Sequence, residues 1–148
     1  MNVKDRYQDA AGHALAGFQL IEEHLKEYIG HYYDTVRVLM AGKLSFQHKR
    51  EDIEDAPLER LTNTFARINA NAELVKQIRS LIRVRNEVAH RAFKHLYGPS
   101  KQDADFEKSI KHFIEVAQQL SAIMKDLLHE ELLVLQVAKD YQNANVPE

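Results

Sequence analysis

The chain has 148 residues, no cysteine, no tryptophan and a formal net charge of −2. Disulfides, thiolate metal centres and thiol catalysis are therefore excluded, and the chain as a whole is not a generally basic nucleic-acid binder. The opening segment from Met1 to Asp9 is polar and charged, and no apolar run approaches the ~18 residues of a membrane span, so neither a signal peptide nor a transmembrane helix is expected and the expected compartment is the cytoplasm.

With five Gly and three Pro, turn signals are too sparse for a many-stranded sheet. The expected fold is all-α: one domain over residues 1–148, built as an up-down bundle of four main helices. The first helix is expected from about Tyr7 to Ala41. Leu15, Phe18, Leu25, Ile29, Tyr32 and Val36 recur mostly at three- and four-residue steps, and Gly42 fits a stop just past the end. Gly12, Gly17 and Gly30 lie inside this span and weaken it as an uninterrupted helix. Tyr28, Tyr32 and Tyr33 are expected in core or interface packing rather than in base stacking. Lys43 to Glu54 is polar around Leu44, Phe46 and Ile53 and reads as an exposed loop.

A second helix is expected to begin near Asp55, with Pro57 in its first turn, and to break at Asn69–Asn71, where Asn71 can cap the next helix. The third helix is expected over Ala72–Tyr97, stopped by Gly98-Pro99, and Ser100 with Asp103 resembles a capping box for the fourth. That fourth helix is expected to run to about Asp140, with a polar, frayed tail from Tyr141. Phe106, Ile110, Phe113, Ala117, Leu120, Met124 and Leu127 alternate steps of four and three, a heptad seam that Glu131 interrupts. Such a seam calls for a partner helix, by default one in the same chain.

Charge is unevenly spread. Between Lys76 and His95 there are six basic residues and one acid, Glu87, so this window carries +5 in an otherwise acidic chain. On a helical wheel centred on Ile78, the residues Leu74, Leu81, Ile82, Val88, Ala89, Ala92, Phe93 and Leu96 form the buried face, and Arg85 falls about 20° from its centre. Lys76, Arg79, Arg83 and Lys94 fall on the opposite, solvated side around Glu87. A guanidinium keeps its charge, and burying it without partners costs several kcal/mol. Two readings stay open for Arg85. It pairs with a carboxylate on another helix, such as Glu22, Glu23 or Asp34, or it lines a cleft or subunit interface where a planar donor suits a phosphate. His90 follows five residues later and can serve as general acid or base near neutral pH.

The stretch Arg85-Asn86-Glu87-Val88-Ala89-His90 resembles the signature of the HEPN superfamily, in which an Arg, often followed by a polar residue, precedes a His by a few residues late in an all-α chain. The resemblance implies a metal-independent endoribonuclease of the defence or toxin type, working as a homodimer on RNA and leaving 2′,3′-cyclic phosphate and 5′-OH ends. It implies that His90 is the general base or acid, that Arg85 holds the phosphate, and that Asn86 orients the reacting groups. Arg79, Arg83 and Arg91 are the expected substrate-binding residues, and such enzymes leave room for a regulatory partner protein. The alternative within the same resemblance is a non-catalytic module for dimerisation or nucleotide binding. A five-residue step leaves Arg85 and His90 about 140° apart on an ideal helix. Either the helix distorts near Glu87 or two chains pair across the third helix, and a two-fold homodimer is the expectation. Ala92 stands two residues after the His, where some HEPN toxins carry a modifiable Tyr. Glu87-x-x-His90 has di-iron spacing, but no second Glu-x-x-His exists in the chain, so neither a metal nor any other cofactor is expected.

Overall fold

The computed structural model describes residues 1–97 and 103–145, apart from the side chains of Phe93, His95, Leu96 and Tyr97. The expected Gly98-Pro99 stop, the Ser100–Asp103 cap, the last residues of the tail, and the face positions Phe93 and Leu96 lie outside it. The described residues form an all-α bundle: α1 (Val3–Leu39), α2 (Leu58–Ile68), α3 (Ala72–Tyr97) and α4 (Asp103–Ala144), with a one-turn 3-10 helix at Arg50–Ile53.

Helix α1 starts earlier than its apolar period suggests because Asn2 caps it: the Asn2 Oδ1 accepts the Asp5 N–H at 2.9 Å. It runs uninterrupted through Gly12, Gly17 and Gly30, and Gly42 takes φ 70° just beyond its end. Helix α2 begins after Pro57, which stands at its N-cap, instead of at Asp55. Helix α4 continues to Ala144, beyond the expected fraying at Tyr141.

Cross-helix contacts fix the directions. Arg6 pairs with Glu107, and Tyr7 meets Phe106 and Phe113 edge-on, each with ring centroids 5.3 Å apart. Gly17 lies against Leu120, and His24 and His31 both approach Glu131. Residue numbers rise together along both helices, so α1 and α4 are parallel. Helix α3 runs the other way: Arg85 lies beside Glu22, and the Arg91 carbonyl accepts the Tyr7 hydroxyl at 2.8 Å. The partner of the α4 seam is thus α1 of the same chain.

The core lies where these helices meet. Phe18, Ile21, Leu25 and Ile29 from α1 pack with Phe106, Phe113, Leu120 and Leu127 from α4, and all are almost fully shielded from water. Each such side chain contributes about 1.5–3 kcal/mol by leaving water. Tyr28 is buried, and its ring sits edge-on to Phe65 of α2 at 4.9 Å. Tyr33 is buried as well, and Tyr32 packs partly covered against the core.

The 43–54 segment is not simply an exposed loop. Ile53 is buried, and the Arg50 side chain lies across Gly30 and hydrogen-bonds to Asp34 Oδ2 at 2.8 Å. A Cβ at position 30 would come within 2.9 Å of the guanidinium carbon. The α2–α3 elbow is tied down too. Asn71 Oδ1 accepts the Leu74 N–H, and Glu130 of α4 accepts from both the Asn69 and Asn71 side chains.

Candidate functional site

Helix α3 spans the residues expected of it and carries the Arg-Asn-x3-His motif on its second half. Leu74, Ile78, Leu81 and Val88 are buried and hold it on the bundle. Past Leu81 the fit loosens, and Ile82, Arg85, Ala89 and Ala92 are only partly covered. These four follow steps of three, four and three, so they form a single half-covered stripe.

Arg85 sits in that stripe with Nη2 3.3 Å from Glu22 Oε1, one of the three carboxylates that the sequence offers it. The pair is not sealed: the Arg85 side chain is 44% exposed and that of Glu22 19%. The guanidinium therefore keeps an open side. Asn86, Glu87 and His90 are exposed. Helix α3 is continuous through Glu87, so no distortion turns His90 toward Arg85, and the two leave the helix about 140° apart. One chain alone presents them on different faces.

The basic residues around the motif are solvated as the wheel suggests. Arg79, Lys76 and Lys94 are exposed, and Arg83 is 90% exposed with Nε 3.8 Å from Glu87. At that exposure the Arg83–Glu87 pair adds little to stability. Arg91 is half-buried, and it is the Arg91 backbone that ties α3 to Tyr7. Burial raises the Tyr7 phenol above its ordinary value, and the Arg91 charge draws it partly back.

Glu87 and His90 have no further metal-ligating group beside them among the described residues. A different set does converge elsewhere: Glu27 and His31 of α1 with Glu131 of α4. Searching for ligand spacing along one helix misses it because it is assembled across two. Its marks in the sequence were the interruption of the α4 seam at Glu131 and the four-residue step from Glu27 to His31 on α1. A groove of 590 Å³ runs between α1 and α4 past Arg6, Asp9, His13 and Ile114, and none of its lining residues belongs to α3. No described helix is long and apolar enough to cross a membrane. Compared with protein-family models, curated proteins and solved structures, the chain matches none.

Proposed function

We propose that this chain is a metal-independent endoribonuclease of HEPN type, acting as a homodimer through the second half of α3. The observation that carries the reading is the half-open Arg85 beside exposed Asn86 and His90, on a stripe of Ile82, Ala89 and Ala92 that the chain leaves partly uncovered. A second copy related by two-fold symmetry would cover that stripe and bring the His90 of one chain toward the Arg85 of the other. In the shared cleft His90 takes the proton of an RNA 2′-OH as it attacks the adjacent phosphorus. Arg85 stabilises the charge on the phosphoryl oxygens, and Asn86 orients the two. The 5′-oxygen leaves with a proton, giving a 2′,3′-cyclic phosphate and a 5′-OH. Arg79 and Arg83 add phosphate neutralisation along the approach. A defence or toxin role in the cytoplasm, with a partner protein that restrains the activity, accords with this chemistry.

The Glu22–Arg85 pair favours a second reading, a non-catalytic module for dimerisation or nucleotide binding in which Arg85 is a structural ion-pair member. The readings separate on incubation of the purified protein with mixed RNA in EDTA, beside His90→Ala and Arg85→Ala. Cleavage that both variants lose, with cyclic-phosphate ends, is the outcome expected of the nuclease. An intact dimer that leaves RNA uncut supports the module, and cleavage that survives both substitutions refutes the site.

A further inference from the structure

Glu131 is a carboxylate in an otherwise apolar seam, and its side chain is only 14% exposed. It faces two imidazoles of α1, seven residues apart and so on the same side of that helix. His31 Nε2 lies 3.2 Å from Glu131 Oε1 and 3.5 Å from Glu27 Oε2. His24 Nδ1 lies 3.9 Å from Glu131 Oε2, is cut off from solvent and makes no hydrogen bond. From this geometry we infer that Glu27, His31 and Glu131 bind a divalent transition metal of the zinc class.

Three observations carry the inference. First, tetrahedral zinc with bonds of about 2.0–2.1 Å places neighbouring ligand atoms about 3.3–3.4 Å apart, and the two His31–carboxylate separations, 3.2 and 3.5 Å, bracket that value. Second, the surrounding charge is unbalanced. Asp34 is answered by Arg37, whose Nη1 is 3.2 Å from its Oδ1, and by Arg50, whose Nε is 2.8 Å from its Oδ2, so Glu27 and Glu131 have only a share of Arg50, whose Nη1 is 3.6 Å from Glu27 Oε2. Three carboxylates against two guanidinium groups leave one negative charge over, which a bound cation offsets. Third, the shielded His24 Nδ1 beside these residues has no hydrogen-bond partner, since Glu131 Oε2 at 3.9 Å is beyond reach. An unpartnered buried polar atom thus borders the three ligands. With no cysteine in the chain, the donors are imidazole and carboxylate, which suit zinc, cobalt or manganese.

Arg50 makes the site conditional. Its Nη2 is 3.0 Å from His31 Nδ1, and a guanidinium has no acceptor, so Nδ1 accepts and the ring proton sits on Nε2. A metal at Nε2 moves that proton to Nδ1, which can then no longer accept from Arg50. Metal and guanidinium therefore compete for His31. Arg50 retains Asp34 when displaced, so binding trades one cation for another at the place where the 43–54 segment is fastened to α1. The site is separate from the α3 motif and independent of the reading as a nuclease.

The test is zinc titration of the chelator-stripped full chain by calorimetry and thermal unfolding, with cobalt absorption as a probe of geometry. One zinc per chain is expected, with a melting rise of roughly 5–10 °C at a hundredfold excess over Kd, and cobalt should show tetrahedral visible bands. Glu27→Gln, at a half-exposed position that tolerates change, should weaken binding at least tenfold, as should His31→Asn. Arg50→Gln should tighten it. Absence of stoichiometric zinc binding overturns the inference, as does binding that Glu27→Gln and His31→Asn both leave unchanged. EDTA should lower the melting temperature of the zinc-loaded chain whether or not RNA is cleaved, which keeps this result distinct from the nuclease assay.

Discussion

The same substitution at two positions of α1 should have opposite effects. Gly12 and Gly17 both lie within the helix, where replacing Gly by Ala gains about 0.8–1 kcal/mol of helix propensity. At Gly12 an added Cβ meets nothing within 4 Å, so Gly12→Ala should keep the whole gain. At Gly17 the Cβ would lie 2.8 Å from Leu120 Cδ1 and 3.4 Å from Leu120 Cβ. Leu120 is 2% exposed and is wedged in the seam, so it cannot turn aside freely. Overpacking of this kind costs about 1–3 kcal/mol, so Gly17→Ala should be neutral to about 2 kcal/mol less stable than the parent. The gap between the variants is then about 1–3 kcal/mol, or roughly 2–12 °C in melting temperature for a chain of this size. Urea unfolding followed by circular dichroism reads it directly. Equal stabilisation by both substitutions would refute the close approach of α1 to α4 at Leu120, on which the placing of the α1 imidazoles beside Glu131 depends.

Two further outcomes follow from the site and the core. Glu22→Gln removes the counter-charge from a half-exposed Arg85, so stability should change by no more than about 1 kcal/mol. In a His90→Ala background the affinity for a short labelled RNA, read by fluorescence anisotropy, should rise several-fold, and unchanged affinity would argue that Arg85 takes no phosphate. Burial raises the phenols of Tyr7, Tyr28 and Tyr33 above their usual value. Their contribution to stability is complete below about pH 10, where the unfolded rings are still neutral, and is lost as pH rises from there toward the raised folded values. Ionisation followed at 295 nm should therefore coincide with loss of helix, and ionisation of all six tyrosines well before unfolding would contradict the burial.

Much of the fold was legible because helix periods are local. The α3 bounds, the Asn71 cap and the α4 seam all follow from spacing and end chemistry. What escaped depends on partners distant in sequence. Gly17 and Gly30 look like flaws in a helix until Leu120 and Arg50 are seen lying against them. The 43–54 segment reads as a polar loop because nothing local shows that Ile53 is buried or that Arg50 reaches Asp34. Arg85 on an apolar face pointed to a paired or interfacial cation, and Glu22 was among the partners foreseen. The degree of exposure of Arg85 was not legible, because a wheel assigns a face without saying how far along the helix that face stays covered. Glu131 was visible as an interruption, but the imidazoles it faces lie a hundred residues away in the chain.

The parallel course of α1 and α4 has an electrostatic consequence. Backbone dipoles of neighbouring antiparallel helices largely offset each other, whereas two parallel helices place their partial positive charges, about half a unit each, at one end of the bundle. Asp5 stands in the first turn of α1, and Asp103 and Asp105 in that of α4. Three carboxylates thus gather where two helix dipoles add, and an acidic residue lost from this end removes a favourable interaction with both helices. At the far end Arg37 occupies the last turn of α1, while the last turn of α4 carries no basic residue. The α1–α4 pair is electrically polar along its length, with α3 running against it and carboxylate compensation concentrated at the amino end.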